Sequence, residues 1–203
     1  FDQPLNNWNT AKLTNTYAMF NEATIFNQDL SDWNTANVTI MAIMFSGGVT
    51  RNAFNNGGQP MARVGSKWNT SKVTRFDGMF RNSSFAQDVS NWDTSSAKWM
   101  PGMFADNPQF NQDLSGWDIS KVFGPPTYKQ YYTLSEMFNN TSLSATNYDA
   151  ILNGWVGQDH TLGLTNGIYL GASTSHYTCA GLYAHEKKLV LPLVVSSTVL
   201  FFI

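Results

Sequence analysis

Cysteine is nearly absent: the 203 residues hold one, Cys179. A single thiol excludes an internal disulfide framework and a multi-cysteine metal site. Charge is scarce as well. Asp, Glu, Lys and Arg make up 13% of the chain, about half the usual share. The cover over any core must therefore be neutral and polar: Asn, Ser, Thr and Gln. The formal net charge is -2, and no basic run occurs. Nucleic acid needs a cationic footprint, so it is not among the expected partners. The histidines are His160, His176 and His185. None has a Cys, Asp or Glu at a zinc-finger or HExxH spacing. Asn55-Asn56-Gly57-Gly58 is no phosphate loop, since no Lys-Ser/Thr follows. No cofactor is implied.

Aromatic residues, by contrast, are plentiful and periodic. Trp falls at 8, 33, 68, 92 and 117. A Met-Phe pair falls at 19/20, 44/45, 79/80, 103/104 and 137/138. A leading Phe falls at 1, 26, 54, 85 and 110. Ten of the 14 Phe and five of the 7 Trp sit on this grid, so the aromatics mark a repeat. A fixed period near 25 residues predicts a stacked solenoid. Its expected core is Trp8, Trp33, Trp68, Trp92 and Trp117 with Phe20, Phe45, Phe80, Phe104 and Phe138.

Within one repeat the period changes. Leu30, Trp33, Thr35 and Val38 stand at leucine-rich-repeat spacing. Trp33 and Thr35 point inward and Asn34 outward, which predicts a short strand. Val38, Met41, Met44 and Phe45 follow i, i+3, i+6, i+7, which predicts a short helical segment. Thr14, Thr39 and Thr74 are its expected caps. The fold class is thus an α/β repeat solenoid. It is a leucine-rich-repeat-like array of five coils with short parallel strands and helical turns, plus a C-terminal cap.

Residues 1–142 form the expected array, with insertions near 46–67 and 123–132. The first insertion is rich in Gly and Asn and reads as a bulging loop. Gly65 takes the usual Leu position there. Residues 143–203 are the expected cap and apolar tail. Tyr148, Ile151, Leu152 and Trp155 share one helix face, suited to closing a solenoid end. Gly167–Leu170 reads as a strand and Thr178–Leu189 as a helix. The uncharged tail 189–203 has 15 residues, short of the roughly 20 that span a bilayer. A membrane anchor would need chain beyond it. The sequence opens inside a repeat, as a fragment or processed product would.

The units FNQDLSDWNTANVTIMAIMF and FAQDVSNWDTSSAKWMPGMF resemble the BspA-like leucine-rich-repeat surface proteins. Phe, Gln, Trp and Met-Phe recur together in register, and the resemblance covers about residues 1–185. The resemblance implies secretion, display at a cell surface, and adhesion or protein interaction. It implies no catalytic residues.

Two polar columns accompany the grid. Gln recurs at 3, 28, 87 and 112 and reads as an amide bonding ladderless backbone. Asx follows each Trp: Asn9, Asn34, Asn69, Asp93 and Asp118. This column reads either as a ladder satisfying turns or as a binding strip, flanked by Ser31, Ser66, Ser90 and Ser115. Asp29, Asp88 and Asp113 offer a weaker calcium reading, set against Pro4 at that position in the first repeat. The carboxylates are spread one per coil, unlike the paired carboxylates of a glycosidase. The expected function is a non-catalytic extracellular or cell-surface module that binds a protein or glycan. The alternative is a subunit that self-assembles into a coat or filament.

Overall fold

A computed structural model of the chain describes residues 1–61, 64–122, 134–155 and 158. The insertion at 123–132, the 167–170 strand, the 178–189 helix, the tail, the histidines and Cys179 lie outside the described residues. The leading Phe residues divide the array into repeats 1–25, 26–53, 54–84, 85–109 and 110–142.

Backbone hydrogen bonds join each repeat to the next. The N–H groups of Thr16, Ala18, Phe20 and Glu22 donate to the carbonyls of Ile40, Ala42, Met44 and Ser46 at 2.7 to 3.1 Å. Met41, Ile43, Phe45 and Gly47 donate likewise to Arg75, Asp77, Met79 and Arg81. Phe76, Gly78, Phe80 and Asn82 then reach Trp99, Pro101, Met103 and Ala105. The intervening N–H groups turn back within their own repeat: Met19 to Thr16 O, Asn21 to Ala18 O, Ala23 to Phe20 O. Alternate donors thus go forward and alternate donors go inward. Buried N–H groups require partners, and this ribbon supplies them without a helix or a sheet.

The geometry corrects the expected elements. No strand lies at Trp33–Thr35. Isolated parallel bridges instead link Asn15, Ile40, Arg75 and Trp99, inside the segment expected to be helical. That segment is a run of turns. The third residue of one turn in each repeat has positive φ: Ala18 55°, Ile43 46°, Gly78 57°, Gly102 58° and Glu136 59°. A type II turn needs this conformation and glycine adopts it freely. Ala18, Ile43 and Glu136 adopt it under strain, of order 1–3 kcal/mol each. Thr39 and Thr74 do not cap helices. Their hydroxyls donate to Thr14 O and Thr39 O of the preceding repeat, at 3.3 and 3.1 Å. The helix period misled because a turn ribbon buries the same positions: Val38, Met41, Met44 and Phe45 are all fully buried.

The core is two interleaved columns of rings. Phe20, Phe45, Phe80, Phe104 and Phe138 stack at 5.6 to 6.3 Å between centroids. Phe1, Phe26, Phe54 and Phe85 stack alongside at 6.0 to 6.1 Å. The columns touch most closely at Phe45 and Phe54, 3.6 Å apart and 2° from parallel. Such offset stacks add to the burial term. Trp8 is a correction: 59% of it is exposed. Its inner face lies on Trp33 at 6.1 Å. The first insertion is also more than a bulge. Phe54, Asn56 and Met61 within it are fully buried, and Met61 joins the core, while Gly65 is exposed.

Buried indoles need an acceptor. Trp33 donates to Leu5 O at 3.1 Å and Trp117 to Val89 O at 3.0 Å, each in the preceding repeat. Trp68 and Trp92 are buried, yet their Nε1 groups find no partner among the described residues. The equivalent acceptor for Trp92 belongs to Gly65, which is exposed with φ 84°. Trp92→Phe should therefore destabilise the chain less than Trp117→Phe, by about 1 kcal/mol, because only the latter removes a satisfied bond. Urea midpoints of the two variants check this; a larger loss for Trp92→Phe would contradict it.

One α-helix is present among the described residues, α1, Ala145–Trp155. It buries Tyr148, Asp149, Ile151, Leu152 and Trp155. Trp155 donates to Leu114 O at 2.9 Å, repeating the indole bond of the earlier Trp residues. Its ring lies 6.3 Å from Phe138. The helix thus supplies, from a different local structure, the Trp of a further layer.

Candidate functional site

The Asx column is built from the turn that follows each Trp. Each side-chain oxygen accepts the N–H two residues on: Asn9 from Ala11, Asn34 from Ala36, Asn69 from Ser71, Asp93 from Ser95 and Asp118 from Ser120, at 2.8 to 3.2 Å. These are Asx turns, a local mimic of a backbone turn. Asn9, Asn69 and Asp93 are exposed; Asn34 and Asp118 are half-buried.

A threonine column lies directly behind. Thr10 accepts Asn34 N–H at 2.8 Å. The Thr35 hydroxyl accepts Asn69 N–H at 2.6 Å and donates to Asn69 O at 2.8 Å. Thr70 and Thr94 donate to Asp93 O and Asp118 O. Each Asx residue after the first is therefore held by the repeat before it as well as by its own turn. The strip is fixed in register before any ligand arrives.

Charge enters at its C-terminal end. The hydroxyl and N–H of Ser95 hold the Asp93 carboxyl below the usual range, although burial and the neighbouring Asp118 push it up. Ser120 does the same for Asp118. The structure thus sets three carboxamides beside two ionised carboxylates.

The flanking serines do not all belong to this strip. Ser31 is fully buried and bonded to Asp29, Pro60 O and Asn56. Ser90 is exposed, while Ser66 and Ser115 are half-buried. Asp29, Asp88 and Asp113 each accept the N–H of the serine two residues on. No group of three or more His, Cys, Asp or Glu gathers among the described residues. No helix among them is long and apolar enough to cross a membrane.

Gln28 and Gln87 depart from the backbone role expected of their column, their amides donating to the Asp2 and Asn55 side chains, but Gln112 fills it. It accepts Val89 N–H at 2.9 Å and donates to Gln87 O at 2.7 Å. Gln158 makes the same clip on Ile119 N–H and Trp117 O. A further column was missed. Asp2, Asn27, Asn55 and Asn111 each accept an N–H from the following segment: Asn27, Asn55, Ala86 and Ser144. The signal was available, since each directly follows a leading Phe. Asn27 N–H and the Gln28 amide lower the pKa of Asp2.

Segments joined in register by backbone ladders, ring stacks and side-chain clips define a tandem-repeat protein. The chain belongs to the family described as "Mycoplasma protein of unknown function, DUF285", which matches over residues 1–58 and 49–158. That family is related to the BspA-like repeats. No curated protein and no solved structure matches the chain.

Proposed function

We propose that the chain is a non-catalytic binding or adhesion module, displayed outside the cell or at its surface. In this reading the repeats form a leucine-rich-repeat-like solenoid of the BspA-like kind. The partner is a protein or glycan that lies along Asn9, Asn34, Asn69, Asp93 and Asp118. The observation that carries the reading is the immobilised strip: five polar side chains at one position of successive repeats, each held by its own turn. Fixed side chains lose little entropy on binding, which favours recognition by a repeat face. Membrane attachment enters only through an anchor beyond the tail.

Alanine variants would test this poorly, because they also remove the Asx turns. Isosteric exchanges keep the turn acceptor and change only the outer atom. The combined variant Asn34→Asp, Asn69→Asp, Asp93→Asn and Asp118→Asn should keep its melting temperature within a few degrees. It should lose binding to whichever member of a panel of purified polysaccharides and matrix proteins the parent chain retains. Retention unchanged by the exchange would remove the strip as the site. Assembly into a coat or filament is the second reading, and the scarcity of charge over a cover of neutral amides is the observation that favours it. Sedimentation equilibrium separates the two, since only a coat subunit gains mass with concentration.

A further inference from the structure

The joint between the second and third repeats is closed by an Asn-Gly pair, Asn56-Gly57, in a single 3-10 turn, Asn56–Gly58. Such a pair can convert itself. The glycine nitrogen attacks the asparagine Cγ, and a new C–N bond forms. The Cγ–Nδ2 bond breaks, and ammonia leaves with the proton that the glycine nitrogen gives up. Water then opens the cyclic imide at either carbonyl, leaving Asp or isoaspartate. Glycine eases the attack because no side chain stands beside its nitrogen. This fold requires glycine there. Gly57 has φ 60°, and a Cβ on it would meet Asp29 N of the second repeat at 3.4 Å. The position that seats the turn is thus the one that makes Asn56 reactive. Yet every reacting group is engaged elsewhere. Asn56 is fully buried. Its Oδ1 accepts Leu30 N–H at 2.7 Å, and its Nδ2 donates to Ser31 Oγ at 3.1 Å and Gln59 O at 2.7 Å. The Gly57 N–H donates to Asn27 Oδ1 at 3.0 Å, which also accepts Asn55 N–H at 2.8 Å.

We propose that Asn56 is a self-modification site gated by this joint: it is inert while Asn27, Leu30 and Ser31 hold the turn, and it deamidates when the turn opens. Closed, the nucleophile's proton is held by Asn27, the electrophile is held by Leu30 and Ser31, and burial keeps out the water that completes the reaction. Opened, all three restraints go together. The rate therefore follows the population of the open joint, not the chemistry of the pair. Conversion also prevents reclosure. A carboxylate has only acceptors, whereas Nδ2 donates to Ser31 Oγ and Gln59 O. The Ser31 hydroxyl proton is directed to Asp29 and Pro60 O, so the new oxygen gains no donor from it. A buried charge facing a carbonyl is costly. The isoaspartate product further adds a carbon to the main chain inside the turn. Each opening that ends in conversion is thus recorded permanently, as a loosened joint between two repeats.

The test incubates the full chain in mildly alkaline buffer beside a free peptide with the sequence of residues 50–61. Peptide mapping with isoaspartate detection follows Asn56 and separates it from Asn153-Gly154 and Asn166-Gly167. Asn56 in the full chain should convert at least about tenfold more slowly than in the peptide. Asn27→Ala frees the Gly57 N–H and should speed conversion at least about threefold. Ser31→Ala, which removes an acceptor of the Asn56 amide, should do the same if Asn27→Ala does not fold. Asn111→Ala deletes the equivalent bond, to Ser144 N–H, in another repeat and should leave the Asn56 rate unchanged. Asn56→Asp, the product made directly, should melt several degrees below the parent chain. A full chain that converts as fast as the peptide would overturn the proposal. So would equal rates in the Asn27→Ala and Asn111→Ala chains, or an Asn56→Asp chain that melts with the parent. The Asx strip is not involved: the isosteric exchanges there should leave the Asn56 rate unchanged.

Discussion

Phe45→Ala should cost about 3–5 kcal/mol of folding free energy, the range for truncating a buried aromatic. Phe45 is fully buried and meets three rings: Phe20 at 5.6 Å, Phe54 at 3.6 Å and Phe80 at 5.7 Å. Its N–H donates to Met79 O at 2.9 Å, so the backbone beneath it is pinned and cannot collapse into the cavity. Total stability of a domain is only about 5–15 kcal/mol, so the variant should sit near its unfolding limit at 37 °C. The matched control is Phe1→Ala. Phe1 belongs to the same kind of column but is 68% exposed. Its truncation should change stability by less than about 1 kcal/mol. Urea titrations followed by far-ultraviolet circular dichroism measure both. If the two variants have similar midpoints, the interleaved columns are not what holds the array.

Gly154→Ala should dislodge α1 from the fifth repeat. Alanine is normally the better helix residue, by about 1 kcal/mol. Here a Cβ would fall among backbone: Ser115 O at a separation of 2.4 Å and Ser115 Cα at 2.7 Å. No side-chain rotation relieves a clash with backbone, so the helix must move. Overpacking of about 1–3 kcal/mol should outweigh the propensity gain. The movement would break the Trp155 bond to Leu114 O and open the ring contact with Phe138. The measurable result is greater acrylamide quenching of tryptophan emission and a lower melting temperature. Thr146→Ala, on an exposed position of the same helix, should do neither. A more stable Gly154→Ala protein would mean that the helix does not seat as described.

The aromatic grid was legible in the sequence because large rings are rare and costly to expose. Their spacing identified Phe45, Trp33 and Trp117 as core. The helix that carries Trp155 is legible separately, from Tyr148, Ile151, Leu152 and Trp155 on one face. What the spacing did not distinguish was a helix from a ribbon of turns, since both bury Met41, Met44 and Phe45. The decisive feature is the left-handed backbone at Ala18, Ile43 and Glu136, and none of these residue types announces it. Trp8 was misjudged for another reason. Its exposure depends on what lies beside the first repeat, and a residue pattern carries no neighbour. Met61 stands four residues before Gly65, out of register with the Leu column, so the grid did not point to it. The Asx residues are legible as a column by position, but the sequence does not show that their oxygens accept the N–H groups of Ser95, Ser120 and their equivalents.

The forward donors all point the same way, from each repeat to the one after it. A tether pulling the two ends apart would strain these rows face-on. Each row can open while its neighbours stay closed, so the chain would lengthen in steps of one repeat.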